Sequence, residues 1–193
     1  MKAFLLIFGM IAHAGLVGLT PMTDVELKWK ATTEMNEFSK LDLTKLSEHK
    51  IKIVDFKDHR KAPLSRVGMN IEKDGTNLTV DTKSNVADFI TDNFTNTLQK
   101  AGLEIVKSGE TLTIEGDIND YMVTESNTYK GNLTLRLRVL KGGAVVWKGV
   151  INGNNSRFGR SFKLDNYLES LSDCVVDAAL NFVQNEGIKN KVR

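Results

Sequence analysis

The chain of 193 residues has one cysteine, Cys174, two prolines and three histidines. A lone cysteine excludes an intramolecular disulfide framework and any zinc site built from several thiolates. The histidines, His13, His49 and His59, are too scattered for a His-rich metal or catalytic cluster. Two prolines and 15 glycines fit neither a collagen nor a Pro-rich linker. Charge of one sign is lacking as well: 26 Lys and Arg stand against 24 Asp and Glu. Binding to a polyanion through net charge is therefore excluded, and only a local patch could serve. No Gly-x-Ser-x-Gly, phosphate loop, dinucleotide fingerprint, His-Glu-x-x-His or Cys-x-x-Cys occurs. With 41% hydrophobic residues the chain is no disordered polymer, and its length suits one domain rather than two.

What is present begins with a leader. Met1-Lys2 and the apolar residues 3–11 have the n-region and h-region layout of an export signal, and Ala12 and Ala14 are the small residues a signal peptidase reads. This predicts a signal peptide over 1–14 with cleavage before Gly15; a less well formed site near Gly18-Leu19-Thr20 would extend it to about residue 20. An uncleaved leader would instead associate with the membrane, since the apolar stretch through Val17 and Leu19 approaches the ~18–20 residues of a bilayer span. His13 inside that span counts against it. The expected location is the periplasm or cell envelope. No cysteine follows the h-region, so lipidation is not supported. Cys174 lies far downstream in a helical pattern and reads as a small buried apolar side chain rather than a reactive thiol.

Residues 15–50 are polar with scattered apolar positions (Val25, Leu27, Trp29, Met35, Phe38, Leu41, Leu43, Leu46) and read as an N-terminal segment or linker that lays some apolar side chains on the domain. A single domain is expected over 51–188, and residues 189–193 as a basic, frayed tail. Ile51, Ile53, Val54 and Phe56 predict a buried strand ending in a turn at 57–60 and Pro63. Short strands are expected at 67–70 and 78–82. A helix capped by Ser84 or Asn85 then carries Val86, Phe89, Ile90, Phe94, Leu98 and Ala101 on one face and ends at Gly102. Residues 103–106 read as a strand. Alternation at Leu112, Ile114, Gly116, Ile118, then Leu133, Leu135, Leu137, Val139, then Val145, Trp147, Gly149, Ile151 predicts a three-stranded meander with a Gly142-Gly143 hairpin. The last helix starts near Leu164 or Asp165 and ends near Gly187. Two helices with one apolar stripe each, and strands with one apolar face, satisfy each other in an α+β two-layer sandwich: a mainly antiparallel sheet with two amphipathic helices packed on one face.

The densest polar cluster is Asp55, Lys57, Asp58, His59 and Arg60. Strand-end carboxylates and an imidazole suit metal-assisted or acid–base chemistry, but a solvated turn in which Asp58 bonds local amides explains them more simply. Asp117, Asn119, Asp120 and Glu125 lack the spacing of a calcium loop. Arg136 and Arg138 share the wet face of their strand and, with Lys130, Lys141, Lys148, Arg157, Arg160 and Lys163, could form a basic surface. The aromatic signature of a sheet-based RNA-recognition module is absent, so no nucleic-acid partner is expected. No cofactor or metal is expected either. The candidate binding residues are Asp58, His59, Arg60, Arg136 and Arg138, with no catalytic residue assigned.

The leader, the Ile51-Lys-Ile-Val-Asp-Phe strand with Asp58-x-Arg60, Pro63 and Val67-Gly68, the helix followed by Gly102-Leu103-Glu104, the meander and the Asn166-x-Leu168-x-x-Leu171-Ser172-x-x-Val175 helix together resemble the YajG-like bacterial envelope lipoproteins. The resemblance runs over roughly residues 50–188. It implies a small α+β envelope protein without established catalytic residues. Two departures are the missing lipobox cysteine and the turn lengthened by Lys61-Ala62. Two functions are expected in order: a non-enzymatic binding or assembly module meeting envelope proteins through a strand edge or the wet sheet face, and a metal-dependent or acid–base hydrolase centred on Asp55, Asp58 and His59. The sequence leaves the oligomeric state open.

Overall fold

Residues 20–33, 38, 40–61 and 63–192 are described by a computed structural model. The signal peptide and its cleavage sites before residue 20, Met35, Ala62 and Arg193 lie outside the described residues. The described elements run β1 (Met22–Val25), α1 (Thr44–Ser47), β2 (Ile51–Ile53), β3 (Lys57–Asp58), β4 (Arg66–Ile71), β5 (Asn77–Thr82), α2 (Val86–Lys100), β6 (Leu112–Glu125), β7 (Thr128–Lys141), β8 (Ala144–Phe158), α3 (Leu164–Gln184) and α4 (Glu186–Lys191). They form the expected α+β sandwich. One mixed sheet has the order β1-β5-β4-β6-β7-β8, and β2 and β3 join it along β6. Pairs β4/β5, β6/β7 and β7/β8 are antiparallel. By contrast β2, β3 and β4 run parallel to β6 in succession, at Ile51–Ile53, Lys57–Asp58 and Gly68–Asn70.

Alternation places the apolar side chains of the long meander inward. Leu112, Ile114, Ile118, Tyr121, Val123, Leu133, Leu135, Leu137 and Val139 are all buried, each such side chain adding about 1.5–3 kcal/mol. Gly142 and Gly143 take left-handed conformations at the hairpin, φ 57° and 81°, as a two-residue turn of this kind requires. A bulge beside Leu140 interrupts the β7/β8 register and moves Val145 out of phase. Val145, expected on the apolar face, is 51% exposed for that reason.

The helices cover one face. Asn85 caps α2, its side chain accepting from the amides of Ala87 and Asp88, and Gly102 follows with φ 99°. Phe94 of α2 meets Phe56 at a tilt and Phe182 edge-on, which joins the link between β2 and β3 to α2 and α3 through one aromatic cluster. Helix α3 sits so close to β8 that a Cβ built on Gly153 would lie 1.9 Å from the Cys174 carbonyl oxygen.

Helix α3 is buried nearly all round, Ser172, Asp173 and Val176 as well as Leu171 and Val175, and a helix covered on both sides needs a second partner. The stretch read as a linker supplies it. After β1 pairs parallel with β5, Trp29 packs on Phe89 and the Lys30 amide donates to Ser172 Oγ at 2.9 Å. The amides of Thr32 and Thr33 donate to Asp173 Oδ1 at 2.7 and 2.8 Å. Leu27, Phe38 and Leu46 are buried in the same core. The segment is thus a strap over the helical layer.

Three local expectations are corrected. Residues 103–106 form no strand but one bridge, Ile105 with Ile51, since their main chain bonds β2 at Ile51 alone, through the Ile51 amide to the Glu104 carbonyl and the Val106 amide to the Ile51 carbonyl. Helix α3 stops at Gln184, not near Gly187, because the Asn185 side chain accepts from the Ile188 amide and caps a new helix, α4. The tail is not frayed through Val192: Ile188 and Val192 are fully buried, and Val192 O accepts from Lys141 Nζ and contacts His49 Nε2 at 2.8 Å.

Candidate functional site

With α2 and α3 on one face, the opposite face of β6, β7 and β8 is left bare by the described residues. Its side chains are those at the polar phase of the alternation. Arg136 stands between Asp117 on β6 and Val150 on β8, and Arg138 between Glu115 and Lys148. Facing a like charge on one side, Arg138 turns to the other and bonds Glu115 at 2.9 Å. Arg136 and Lys148 have no ion-pair partner among the described residues. A groove of about 390 Å³ runs between Asp117, Arg136, Lys148 and Val150. A second, of about 500 Å³, lies beside Val145, Trp147 and Lys148.

The five candidate residues divide into two groups. Asp58 and Arg60 form a clasp within the fold. The Arg60 side chain, 6% exposed, donates through Nε to both Asp58 oxygens at 2.9 and 3.2 Å and through Nη2 at 2.8 Å. Its remaining protons reach the carbonyls of Leu64, Arg66 and Tyr121. Burial pushes the Asp58 carboxyl up, but the bonds from Arg60 outweigh it and hold it below the usual carboxylate range. This pair ties β3 to the loop before β4 and to β6, and has no donor or acceptor to spare for a substrate.

His59, in contrast, leaves β3 toward the bare face, exposed, with Nε2 3.6 Å from Asp117 Oδ1. His59, Arg136 and Arg138 thus share one surface, gathered around Asp117 and Glu115. The arrangement is open, and the Asp58 carboxylate needed for the hydrolase reading is engaged elsewhere. Among the described residues no group of three or more His, Cys, Asp or Glu side chains could hold a metal ion. The wider basic surface is broken up too: Arg157 pairs with Glu169 and Arg160 with Glu72.

Cys174 is fully buried, and burial pushes its thiol up, away from reactivity. Two buried carboxylates that periodicity did not single out as structural prove central. Asp173 anchors the strap, and Glu125, placed in the notional calcium-loop set, accepts from the amides of Ser161 and Phe162 and from the Tyr167 hydroxyl. Val150 was visible as an apolar residue at a polar-phase position, 52% exposed. That is a sequence signal of an unusual surface.

No model of a known family matches the chain, and no curated protein does. Solved structures do share its fold. A protein of the DUF330 family model from Xanthomonas campestris aligns at 10% identity over 74% of this chain and 86% of its own, with a TM-score of 0.53. A second crystal structure, of an uncharacterised protein, aligns at 8% identity over 85% and 97%, with a TM-score of 0.50. A lipoprotein from Neisseria meningitidis aligns at 14% identity over 71% and 99%, its TM-score of 0.30 being too low to carry weight. These similarities establish the architecture and nothing finer. No described helix is long and apolar enough to cross a membrane.

Proposed function

We propose that the protein is an exported module of the bacterial envelope that binds or assembles with another envelope component rather than catalysing a reaction, as its resemblance to the YajG-like lipoproteins implies. The observation that carries this reading is the one-sided cover of the sheet. Helices α2 and α3 and the strap enclose one face, while among the described residues no element covers the face with Arg136, Arg138, Lys148 and Val150 and no strand pairs with the outer side of β8. A sheet surface of this kind serves recognition by side chains on the face or by main-chain pairing at the edge. The n-region and h-region layout of residues 1–14 supports the compartment.

A photo-crosslinking residue at Thr134, on the bare face, and another at Asp92, on the outer surface of α2, test the proposal in the native envelope. Adducts at Thr134 and not at Asp92 are expected, on a chain whose N-terminus begins at Gly15 or within a few residues of it. Absence of adducts at Thr134, or recovery of the uncleaved chain from the cytosol, would overturn it.

A further inference from the structure

Strand β8 ends the sheet and is 15 residues long. An edge of this length displays a row of main-chain donors and acceptors that proteins normally cover or blunt. Here the helical side chains that bond the edge main chain lie along the second half. Asp177 Oδ2 of α3 accepts from the Asn154 amide at 2.8 Å, and Asn181 Nδ2 donates to the Asn152 carbonyl at 2.8 Å. These two bonds also fix the phase. Because the amide and carbonyl of one strand residue point the same way and successive residues alternate, Lys148 and Val150 turn their main-chain groups to the open edge with Asn152 and Asn154. No helical side chain bonds the main chain of Lys148 or Val150 among the described residues.

The uncovered half, residues 144–150, is also the half with exposed apolar side chains. Val145 is 51% and Val150 52% exposed, and both grooves of the bare face, about 390 and 500 Å³, lie along it. On the helix side the half-buried Trp147 indole packs between Gly149 and Gly187 of α4, leaving part of its rim exposed at the edge. On the bare side Arg136, Arg138 and Lys148 line the grooves with Asp117 as the one acidic lining residue, and Glu115 bonds Arg138, so the cations outnumber the carboxylates. Two copies meeting through this edge would bring two such cation sets together, which repels. A strand with acidic side chains at alternate positions meets the cations with its acidic face and the exposed rim of Trp147 with its other face.

We propose that residues 144–150 of β8 are an acceptor edge for β-strand addition by an extended acidic segment of another chain. This rests on the binding-module reading and names its site and the chemistry of its partner. The Asp177 and Asn181 bonds at Asn154 and Asn152 set the limit of the added strand.

The test uses a short end-blocked fluorescent peptide alternating glutamate and valine, its counterpart alternating lysine and valine, and amide hydrogen exchange of the full chain. Binding of the glutamate peptide alone, with slowed exchange at Lys148 and Val150 and affinity falling as salt rises, is expected. Val150→Pro removes an edge donor that no neighbouring strand uses, so unfolding is unchanged while affinity drops at least about tenfold. Arg136→Glu should weaken the glutamate peptide and improve the lysine one. Equal binding of both peptides, an intact affinity in Val150→Pro, or a dimer whose formation protects the same amides would overturn the proposal. If the peptide fails while Thr134 still crosslinks in the envelope, the strand-addition site falls and the binding-module reading stands. If Thr134 gives no adduct either, both fall.

Discussion

The Tyr167 hydroxyl donates to Glu125 Oε2 at 2.8 Å, in a site where Glu125 is fully buried. The other carboxylate oxygen accepts from the amides of Ser161 and Phe162 at 2.7 and 2.8 Å. Phe162 has φ 42°, a left-handed conformation that a bulky side chain avoids. The end of β6 thereby holds the loop from β8 into α3, and the carboxylate offsets the strain it imposes. Tyr167→Phe leaves Oε2 without its donor and should destabilise the fold by about 1–3 kcal/mol in urea unfolding. Glu125→Gln should cost less than Glu125→Ala, because the amide can keep its carbonyl on the loop and donate to the tyrosine. Equal losses would refute this account.

Tyr121 predicts the opposite sign. Its ring is fully buried, yet its hydroxyl has no hydrogen-bond partner among the described residues. A buried hydroxyl without a partner carries a desolvation cost that its removal relieves. Tyr121→Phe should therefore be neutral or stabilising by about 1 kcal/mol. A clear loss of stability, in the same assay that registers Tyr167→Phe, would contradict the geometry.

Asp173 is the clamp of the strap. It accepts from the amides of Thr32 and Thr33, the Thr32 hydroxyl and Asn155 Nδ2. Asp173→Ala should cost about 2–4 kcal/mol, since hydrogen bonds to a charged group are worth more than neutral ones. It should also open residues 26–33 to limited proteolysis before the sheet melts. Unchanged cleavage within that stretch would show that the strap is held by Leu27 and Trp29 alone.

Gly153→Ala tests the contact between α3 and β8. In an open strand, replacing glycine with alanine stabilises by reducing the freedom of the unfolded chain. At Gly153 the new methyl would meet the Cys174 carbonyl oxygen at 1.9 Å and the Ala178 nitrogen at 2.8 Å, so the helix must shift. A loss of about 1–3 kcal/mol is expected, with a lower thermal midpoint.

The clasp between Asp58 and Arg60 predicts acid sensitivity. Asp58, and Asp81 beside Arg66, are both held below the usual carboxylate range although burial acts against it. Their contribution is complete above the unfolded value of about 3.9 and is lost as the pH falls through the folded values. The thermal midpoint should therefore drop below about pH 4. Arg60→Gln should lower it at neutral pH, because a partly buried carboxylate and three carbonyls lose their donor, and should flatten the acid limb. A parallel limb in the variant would remove Asp58 from the explanation.

Much of this architecture was legible in local patterns. The alternation from Leu112 to Ile118 and from Leu133 to Val139, the stripe from Val86 to Leu98 and the glycines at 142 and 143 each constrain backbone and burial within a few residues, so they read directly as strand, helix and turn. Likewise a lone cysteine in an apolar stripe was enough to expect a buried thiol. Other features were beyond that reach. The bulge that exposes Val145 is one residue of register and depends on the pairing of β7 with β8. The strap looked like a linker because its apolar positions follow no period; they match the backs of α2 and α3, 60 to 140 residues away.

The candidate site divides in the same manner. Sequence determined which charges exist, their phase on each strand and the odd presence of Val150 among polar neighbours. Only the tertiary structure decided that Arg60 turns inward to Asp58 while Arg136 remains on the surface, that Asp117 and not Asp58 is the neighbour of His59, and that α3 guards one half of β8. The physical reason is that a charge is free or committed according to what stands within hydrogen-bond reach of it, and those neighbours are placed by packing between segments remote in the chain.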